Sequence, residues 1–280
     1  MLTLPRSRFA FVSLLLACLA PAMDGRAATT NGNRVAAEVR RGPVDAKRMA
    51  LVFTGHGYAE SGEAILDQLA KRSIHASFFL TGDFLAHTNF THLVRRIVRE
   101  GHYLGAHSDK HLLYCTWDAA RATLVTRDAF RQDLQANLDK LAVFGEKAAR
   151  AKFFLPPYEH ANADIARWTA EMRLTLVNYT PGTRSHADYT GEEDKNFVSS
   201  QAILESIVQR EKQDSNGLNG FILLLHLGSG PTRQDKFDSK FGELLDFLES
   251  KRYEPVRIDQ LLQANEPTLI APDGAPTPTR

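Results

Sequence analysis

The sequence predicts an α/β fold, a barrel or partly closed (β/α) barrel with about seven parallel strands. Short continuous apolar runs recur along the chain, as expected for strands that are buried on both faces of a parallel sheet. Segments with apolar residues at helical spacing alternate with these runs, which is the order of βα units. In barrels of this kind, functional groups collect just after the C-terminal ends of the strands. The residues that follow each apolar run are therefore the candidates for a functional site.

The strands are predicted from the apolar runs, each of which is bounded by glycine, proline or polar residues. The sixth run is the most apolar and ends in a histidine. In chain order, the runs are Met49–Phe53, Ala76–Leu80, Tyr103–Ala106, Phe153–Leu155, Leu174–Asn178, Phe221–Leu225 and Pro255–Ile258.

The helices are predicted from apolar residues three and four positions apart, which share one face of a helix. Gly101 is positioned to end the second helix, and Thr126 can cap the third. Long polar loops are predicted at residues 112–125 and 179–198. The residues that define the helical faces are Ile65, Leu66 and Leu69; Leu93, Val94, Ile97 and Val98; Phe130, Leu134, Leu138 and Leu141; Ile165, Trp168 and Met172; Ile203, Leu204, Ile207 and Val208; and Phe237, Phe241, Leu244 and Leu248.

Residues 1–27 have the pattern of a signal peptide. Arg6 and Arg8 precede an apolar run, Phe9–Leu19, which is too short to span a bilayer. The mature chain is therefore expected to be exported, either periplasmic or secreted, without a transmembrane span. A lipoprotein anchored through Cys18 is the alternative, because the residues around this cysteine resemble a lipoprotein cleavage site.

The rest of the chain divides by composition. Residues 28–47 are polar and charged and predict an unstructured lead-in, residues 48–264 are the predicted domain, and residues 265–280 predict a flexible tail. Cys115 is the one cysteine of the domain, so a hydrophobic core and no internal disulfide must stabilise it. The formal net charge is +1 and no basic block stands out, which excludes nucleic acid as an expected partner.

Three histidines follow predicted strands and are candidate metal ligands. His107 and His111 are four residues apart directly after the third strand, and His56 follows the first strand. Neutral imidazole is the commonest protein ligand for zinc-like ions, and three histidines with one open position form a known catalytic zinc arrangement. We therefore expect a divalent metal, Zn²⁺ first, which would polarise a carbonyl oxygen and acidify a water molecule.

His226, at the end of the sixth strand, is a candidate general acid because imidazole changes its charge near neutral pH. An acidic neighbour would raise its pKa and orient its ring, and Asp188 is the candidate for that neighbour. The alternatives are that His226 is a core or capping residue and that Asp188 is a solvated loop acid.

These motifs resemble the NodB-type polysaccharide deacetylases, carbohydrate esterase family four, over roughly residues 49–262. His107, Ser108 and His111 match the family's His-Ser-x-x-His motif, residues 222–226 match its late strand ending in the acid histidine, and residues 76–82 resemble its Ala-Thr-Phe-Phe strand. The resemblance implies a distorted (β/α) barrel. It also implies metal-dependent removal of N- or O-linked acetyl groups from a polysaccharide or oligosaccharide.

The chain departs from the family pattern where the catalytic base is expected. Gly55 stands at the position of the base Asp, and His56 at that of the ligand Asp. Leu155 replaces the Arg that pairs with the base, so both partners of a buried pair are absent together. Glu159 stands where glycine is usual, and the family's Asp-Trp becomes Asp188 followed by Tyr189. The loss of only one partner would leave an unpaired buried charge, at a cost of roughly several kcal/mol. The loss of both avoids that cost and is consistent with a stable variant of the site.

Glu159 is the hypothesised substitute base, with Glu60 and Asp109 as weaker candidates; each of the three is otherwise a solvated loop acid. Pro157, Tyr158 and Tyr189 are the expected substrate-contacting residues. Four further aromatic residues near strand ends are weaker candidates for stacking on sugar rings: Tyr58, Tyr114, Trp117 and Tyr179.

Three functional hypotheses follow from these motifs. The first is a metal-dependent deacetylase or esterase that acts on an acetylated glycan outside the cytoplasm. The second is a catalytically silent, carbohydrate-binding pseudoenzyme on the same barrel, which the missing base favours. The third is a structural module. A retained acid histidine favours the first, because a protein that only binds sugar has no need of one.

Overall fold

The computed structural model describes residues 38–149 and 151–263. The predicted signal peptide 1–27, the lipoprotein alternative at Cys18 and the predicted tail 265–280 lie outside these residues. Within the two described ranges, no helix combines the length and the apolar character needed to cross a membrane.

A single parallel sheet curls into a half-barrel and confirms the predicted fold. Its strands pair in the order β5-β4-β3-β2-β1-β6, and β7 pairs with the first residues of β1. In the described part of the chain the strands are β1 (Arg48–Gly55), β2 (Ser77–Leu80), β3 (Tyr103–Ala106), β4 (Phe153–Phe154), β5 (Thr175–Leu176), β6 (Ile222–His226) and β7 (Glu254–Val256).

Helices follow the strands, as the alternating pattern predicted. Thr126, Asn162 and Ser199 each accept a hydrogen bond from a backbone N–H in the first turn of a helix, which satisfies one donor that the helix cannot pair itself. The predicted cap at Thr126 is thereby confirmed. The helices of the described residues are α1 (Gly62–Lys71), α2 (Gly82–Ala86), α3 (Thr91–Arg99), α4 (Arg127–Ala142), α5 (Glu146–Ala149), α6 (Ala163–Glu171), α7 (Ser200–Gln213), α8 (Asp238–Ser250) and α9 (Ile258–Gln263).

The sheet separates two apolar layers, and the alternation of side chains along β1 shows how. Met49, Leu51 and Phe53 pack in the larger cluster, which lies between the sheet and the helices. Ala50 and Val52 point to the opposite face and pack in the smaller cluster inside the barrel. Strands that are buried on both faces explain why the sequence shows continuous apolar runs in place of an alternating pattern.

Residues 38–42, here called the seam segment, lie between β5 and β6, where the sheet order leaves a gap. The Val39 N–H donates to the carbonyl oxygen of Leu176 at 2.9 Å, and the Val39 carbonyl accepts from the Asn178 N–H at 2.9 Å. These residues fell within the predicted unstructured lead-in 28–47. That prediction is wrong for residues 38–42, because the edges of two short strands provide backbone partners that no local sequence pattern reveals.

Arg41 anchors the seam segment to the loop before β6. Its guanidinium donates to Asp214 Oδ2 at 2.8 Å and to the carbonyl oxygens of Asn219 and Gly217 at 2.9 and 3.0 Å. The side chain is mostly buried, and so is that of Asp214. Three bonds from one charged group therefore hold this end of the barrel together.

We expect Arg41→Ala to lower the free energy of unfolding by about 1–3 kcal/mol, because the bonds of a partly buried charged donor are lost. Arg40→Ala is the matched control, since Arg40 is more exposed and its side chain pairs with Glu38, two residues away. The control should change stability by less than about 0.5 kcal/mol. Urea denaturation measures both, and equal effects would contradict the anchoring role of Arg41.

Candidate active site

The loop after β3 carries His107 and His111 and has an unusual backbone. Ser108 and His111 both adopt left-handed conformations, with φ of 71° and 54°. Residues other than glycine adopt such conformations only at a cost in free energy, so other interactions must stabilise this backbone. Ser108 Oγ accepts from the His111 N–H at 3.0 Å and donates to Asp133 at 2.7 Å.

Asp133 of α4 is the residue on which this loop is fixed. Besides the Ser108 hydroxyl, its carboxylate accepts from the N–H groups of Asp109 and Lys110 at 3.2 and 3.0 Å and from the Tyr114 hydroxyl at 2.6 Å. It is buried. One carboxylate therefore satisfies four donors, and its charge strengthens each of the hydrogen bonds.

Asn137 lies one turn after Asp133 on α4 and holds the start of the same loop. Its Oδ1 accepts from the His107 N–H at 3.0 Å, and its Nδ2 donates to the Leu80 carbonyl at 3.0 Å. Sequence reasoning missed both α4 residues. The available signal was a polar pair four residues apart beside the apolar stripe that contains Leu134.

His107 is buried and neutral. Its Nδ1 donates to the Leu155 carbonyl at 2.8 Å, since a carbonyl can only accept, and this leaves the lone pair on Nε2. Burial, and then the neighbouring His111, hold the pKa of His107 well below its usual range. The pKa of His111 falls to about 4, through burial and then through His56 and His226. Neutral imidazoles of this kind are the form that binds metal ions.

The structure brings His56, His107 and His111 together, but their rings do not converge on one point. The His56 and His111 rings stack with centres 4.6 Å apart and planes 13° apart, and the His107 and His111 centres are 5.1 Å apart. Among residues 38–149 and 151–263, no three His, Cys, Asp or Glu side chains are arranged to hold an ion. Imidazole nitrogens are suitable donors for a divalent metal. The exposed ring of His56 is placed with its Nδ1 3.2 Å from the Thr81 hydroxyl oxygen.

His226 and Asp188 form the predicted pair. Asp188 accepts from His226 Nδ1 at 2.6 Å and from the His226 backbone N–H at 2.9 Å. Burial alone would lower the pKa of His226, but the charge and hydrogen bond of Asp188, with a contribution from Glu159, raise it. The ring therefore remains a proton donor near neutral pH, and Nε2 is the nitrogen free to act.

Glu159 lies beside this pair, at the end of the 3₁₀ turn Pro157–Glu159. Tyr158 and Glu159 are both left-handed, with φ of 57° and 53°, although neither is glycine. Burial raises the pKa of Glu159 to about 7; His226 opposes that rise and Asp188 adds to it. A carboxylate with a pKa near neutrality can accept a proton and release it again, as a general base must.

The two weaker base candidates are occupied elsewhere. Glu60 accepts from Lys236 Nζ at 2.6 Å and from the N–H groups of Ser229 and the next residue. Burial would raise the pKa of Glu60, but these bonds lower it. Asp109 pairs with Lys140 at 2.5 Å. Both carboxylates hold loops in place, which disfavours a role as base.

Apolar packing surrounds the two positions where the usual base and its partner are missing. A Cβ atom on Gly55 would lie 2.8 Å from Leu80 Cδ2 and 3.0 Å from a ring carbon of Phe84. Leu155 is fully buried in the apolar cluster inside the barrel. Neither position carries an unpaired buried charge, which is consistent with the absence of both the Asp and the Arg of the family pattern.

The predicted substrate-contacting residues divide by exposure. Tyr158 and Tyr189 are 44% and 49% exposed, and their rings lie 4.4 Å from His111 and 5.2 Å from His226. Pro157 is buried and shapes the turn, so a direct contact with substrate is not supported for it. Tyr114 is likewise buried, with its hydroxyl on Asp133, and cannot stack on a sugar.

Comparison with known proteins gives a consistent assignment. Residues 41–177 match the family described as polysaccharide deacetylase. A peptidoglycan-N-acetylglucosamine deacetylase of Bacillus cereus is 25% identical over 228 residues, which cover 80% of this chain and 72% of the relative. One of Listeria monocytogenes is 26% identical over 216 residues, which cover 77% of this chain but 39% of the relative.

Solved structures share the fold. A peptidoglycan N-acetylglucosamine deacetylase has a TM-score of 0.65 at 23% identity, covering 81% of this chain and 92% of that one. A pseudoenzyme of carbohydrate esterase family four from Bacillus anthracis has a TM-score of 0.61 at 18% identity, covering 80% and 68%. A deacetylase and a pseudoenzyme both have this fold, so the fold alone does not decide whether the site is catalytic.

We expect Asp133→Asn to lower the free energy of unfolding by about 3 kcal/mol, because four buried donors lose a charged acceptor. Asp139→Asn on the same helix is the matched control: Asp139 is exposed and accepts one bond from Gln135. Its effect should stay below about 0.5 kcal/mol. Equilibrium denaturation in urea measures both; a small loss for Asp133→Asn would contradict its role in fixing the loop.

Proposed function

We propose that this chain, whose residues 41–177 match the polysaccharide deacetylase family, is a metal-dependent hydrolase that removes N- or O-linked acetyl groups from an extracytoplasmic polysaccharide. Curated relatives are named as peptidoglycan or chitin deacetylases, so an acetylated amino-sugar polymer is the first substrate class to test. A place outside the cytoplasm rests on the predicted signal peptide, residues 1–27.

The observation that carries this proposal is an imidazole poised to donate a proton beside a cluster of neutral imidazoles. The carboxylate of Asp188, 2.6 Å from Nδ1, raises the pKa of His226, while burial lowers the pKa of His107 and His111. The same residue type thus has a raised pKa at one position and a lowered pKa at two others. Environments that separate pKa values in this way are typical of functional sites, where one histidine can act as an acid and others can bind a metal.

His56, His107 and His111 would hold the metal. When bound, a divalent cation supplies polarisation of the acetyl carbonyl and makes a nearby water more acidic. The Leu155 carbonyl fixes the His107 tautomer and thereby presents Nε2. Asp133 and Asn137 keep the loop in place, so these residues set the position of two of the three imidazoles.

The chain's own residues account for the proton movements. Glu159 accepts a proton from the attacking water while the water oxygen forms a bond to the acetyl carbonyl carbon. His226 then donates the Nε2 proton to the leaving nitrogen or oxygen while the bond to the acetyl group breaks, which releases acetate. Asp188 retains its bond to Nδ1–H and stabilises the charged ring before that transfer.

Glu159 is proposed as the base because the site has no carboxylate at Gly55. The two left-handed residues of its turn support a functional role, since such conformations cost roughly 1–3 kcal/mol each and cluster at functional sites. A glycine at this position would relieve the strain but would remove the carboxylate.

The second candidate is a pseudoenzyme that binds a glycan without hydrolysing it. Two observations favour it: apolar packing fills the surroundings of Gly55 and Leu155, and the described residues form no group of three donors around one point. This alternative retains the exposed tyrosines as sugar contacts and assigns no role to the raised pKa of His226.

The deciding experiment is acetate release from peptidoglycan, N-acetylchitooligosaccharides and acetylated xylan, together with metal analysis of the purified chain. We expect about one zinc equivalent per chain, loss of acetate release after chelation and recovery on adding zinc. His107→Ala should lose both the metal and the activity. Bound metal with glycan binding but no acetate release from any of the three would favour the pseudoenzyme.

We expect Glu159→Gln to lower kcat by about 10²–10⁴-fold, the usual contribution of a general base. Activity requires Glu159 ionised and His226 protonated, so kcat/KM should rise with pH as Glu159 loses its proton and fall as His226 loses its own. In Glu159→Gln the rise should disappear and the fall should remain. Glu60→Gln is the matched control for loss of a carboxylate, and an unchanged acid limb in Glu159→Gln would exclude Glu159 as the base.

A further inference from the structure

Trp117 is a large aromatic side chain that the proposed chemistry does not use. It is 62% exposed, more than Tyr158 or Tyr189. It lies in the loop between β3 and α4, beyond the metal-binding motif. One exposed aromatic residue needs no special explanation, so the case for a function depends on how this side chain is held.

A buried histidine holds Trp117 from below. The rings of Trp117 and His160 stack with centres 4.2 Å apart and planes 24° apart, and His160 is buried. His160 Nε2 donates to the carbonyl oxygen of Thr116 at 2.9 Å, which fixes the orientation of its ring. One face of the indole is thereby occupied, and the side chain's exposure belongs to the other face.

The backbone that carries Trp117 is a short hairpin closed by its own bonds. Cys115 and Thr123 form an antiparallel bridge, and the Thr116 N–H donates to the carbonyl oxygen of Ala122 at 2.9 Å. Arg121 Nη1 reaches across to the Ala161 carbonyl at 3.0 Å and ties the tip to the segment after His160. A side chain ordered in advance loses little entropy on binding, which favours a role in recognition.

Trp117 also lies next to the proposed reaction site. The Tyr158 ring is 4.4 Å from His111 and 6.0 Å from Trp117, measured between ring centres. Tyr158 therefore neighbours both His111 and Trp117, so the indole lies one aromatic ring away from the histidine cluster. Residues 119–123 of the same hairpin also line an open cleft of about 690 Å³, together with residues 161–164.

We infer that Trp117, stacked on His160, is a binding platform for a sugar ring that neighbours the one losing its acetyl group. The axial C–H groups of a pyranose pack against the electron-rich face of an indole, and aromatic faces attract such positive edges. This inference rests on the proposed function, because it assumes that a glycan occupies the histidine site. It predicts a preference for oligosaccharides over single sugars.

The test compares substrates of different length on Trp117→Ala. Loss of a stacking contact is expected to lower kcat/KM for penta-N-acetylchitopentaose by about tenfold, mainly through KM, and to leave kcat/KM for N-acetylglucosamine unchanged. Trp117→Phe should recover most of the loss, because it keeps an aromatic face. Leu124→Ala, which removes an exposed apolar side chain from the same loop, is the matched control and should behave as the native chain.

Two outcomes would overturn the inference. An unchanged kcat/KM for the pentasaccharide would show that no sugar stacks on Trp117. An equal loss for both substrates would show that Trp117 shapes the reaction site and is not a separate platform.

Direct binding separates this inference from the proposed function. Calorimetry with the pentasaccharide on the full chain needs no turnover, and Trp117→Ala should weaken that affinity by a similar factor. If the native chain binds the pentasaccharide but releases no acetate, the proposed hydrolase fails while the platform stands. If Trp117→Ala binds as the native chain does, the platform fails whatever the activity.

Discussion

The parallel pairing of β1 with β2 and β6 determines which side chains can meet. β1 lies between β2 and β6, in a register that places Thr54 beside His226 and Gly55 beside Leu80. All three strands run in the same direction, so the loops after them leave from one edge. His56, the loop of His107 and the Asp188–His226 pair meet at that edge because the register of the strands fixes how far along the sheet each of them lies.

The site differs from the expected family pattern at Gly55, Leu155 and Glu159. An Asp and an Arg at the positions of Gly55 and Leu155 would form a buried ion pair, whose desolvation offsets much of its attraction. Apolar packing takes that place here, and a carboxylate appears instead on the turn at Glu159. This carboxyl group follows β4 in the chain, and His226 and Asp188 both influence its pKa.

Sequence reasoning recovered what depends on local pattern. Apolar runs gave the strands, and their ends gave His56, His107, His111 and His226. Chemistry predicted an acidic partner for His226, and the candidate Asp188 does accept a hydrogen bond from its Nδ1. Sequence reasoning failed for Asp133, Asn137 and the seam segment, because their partners lie far away in the chain or on backbone atoms. It also named Pro157 as a substrate contact and Tyr114 as a weak candidate for sugar stacking, but both are buried. A position after a strand does not show which loop residues turn inward.

The seam segment has a consequence for how the chain reaches this fold. Arg41 and Asn219 are 178 residues apart in sequence. Closing the gap between β5 and β6 therefore brings together residues that are among the most distant in the domain. Contacts of such separation slow folding, because the chain must lose loop entropy before they form. Until the gap closes, β5 and β6 present unpaired backbone groups, and an intermediate of this kind can pair with another copy of itself. The rate of folding and the tendency to aggregate are therefore both expected to depend on a few residues at the start of the barrel, remote from the chemistry.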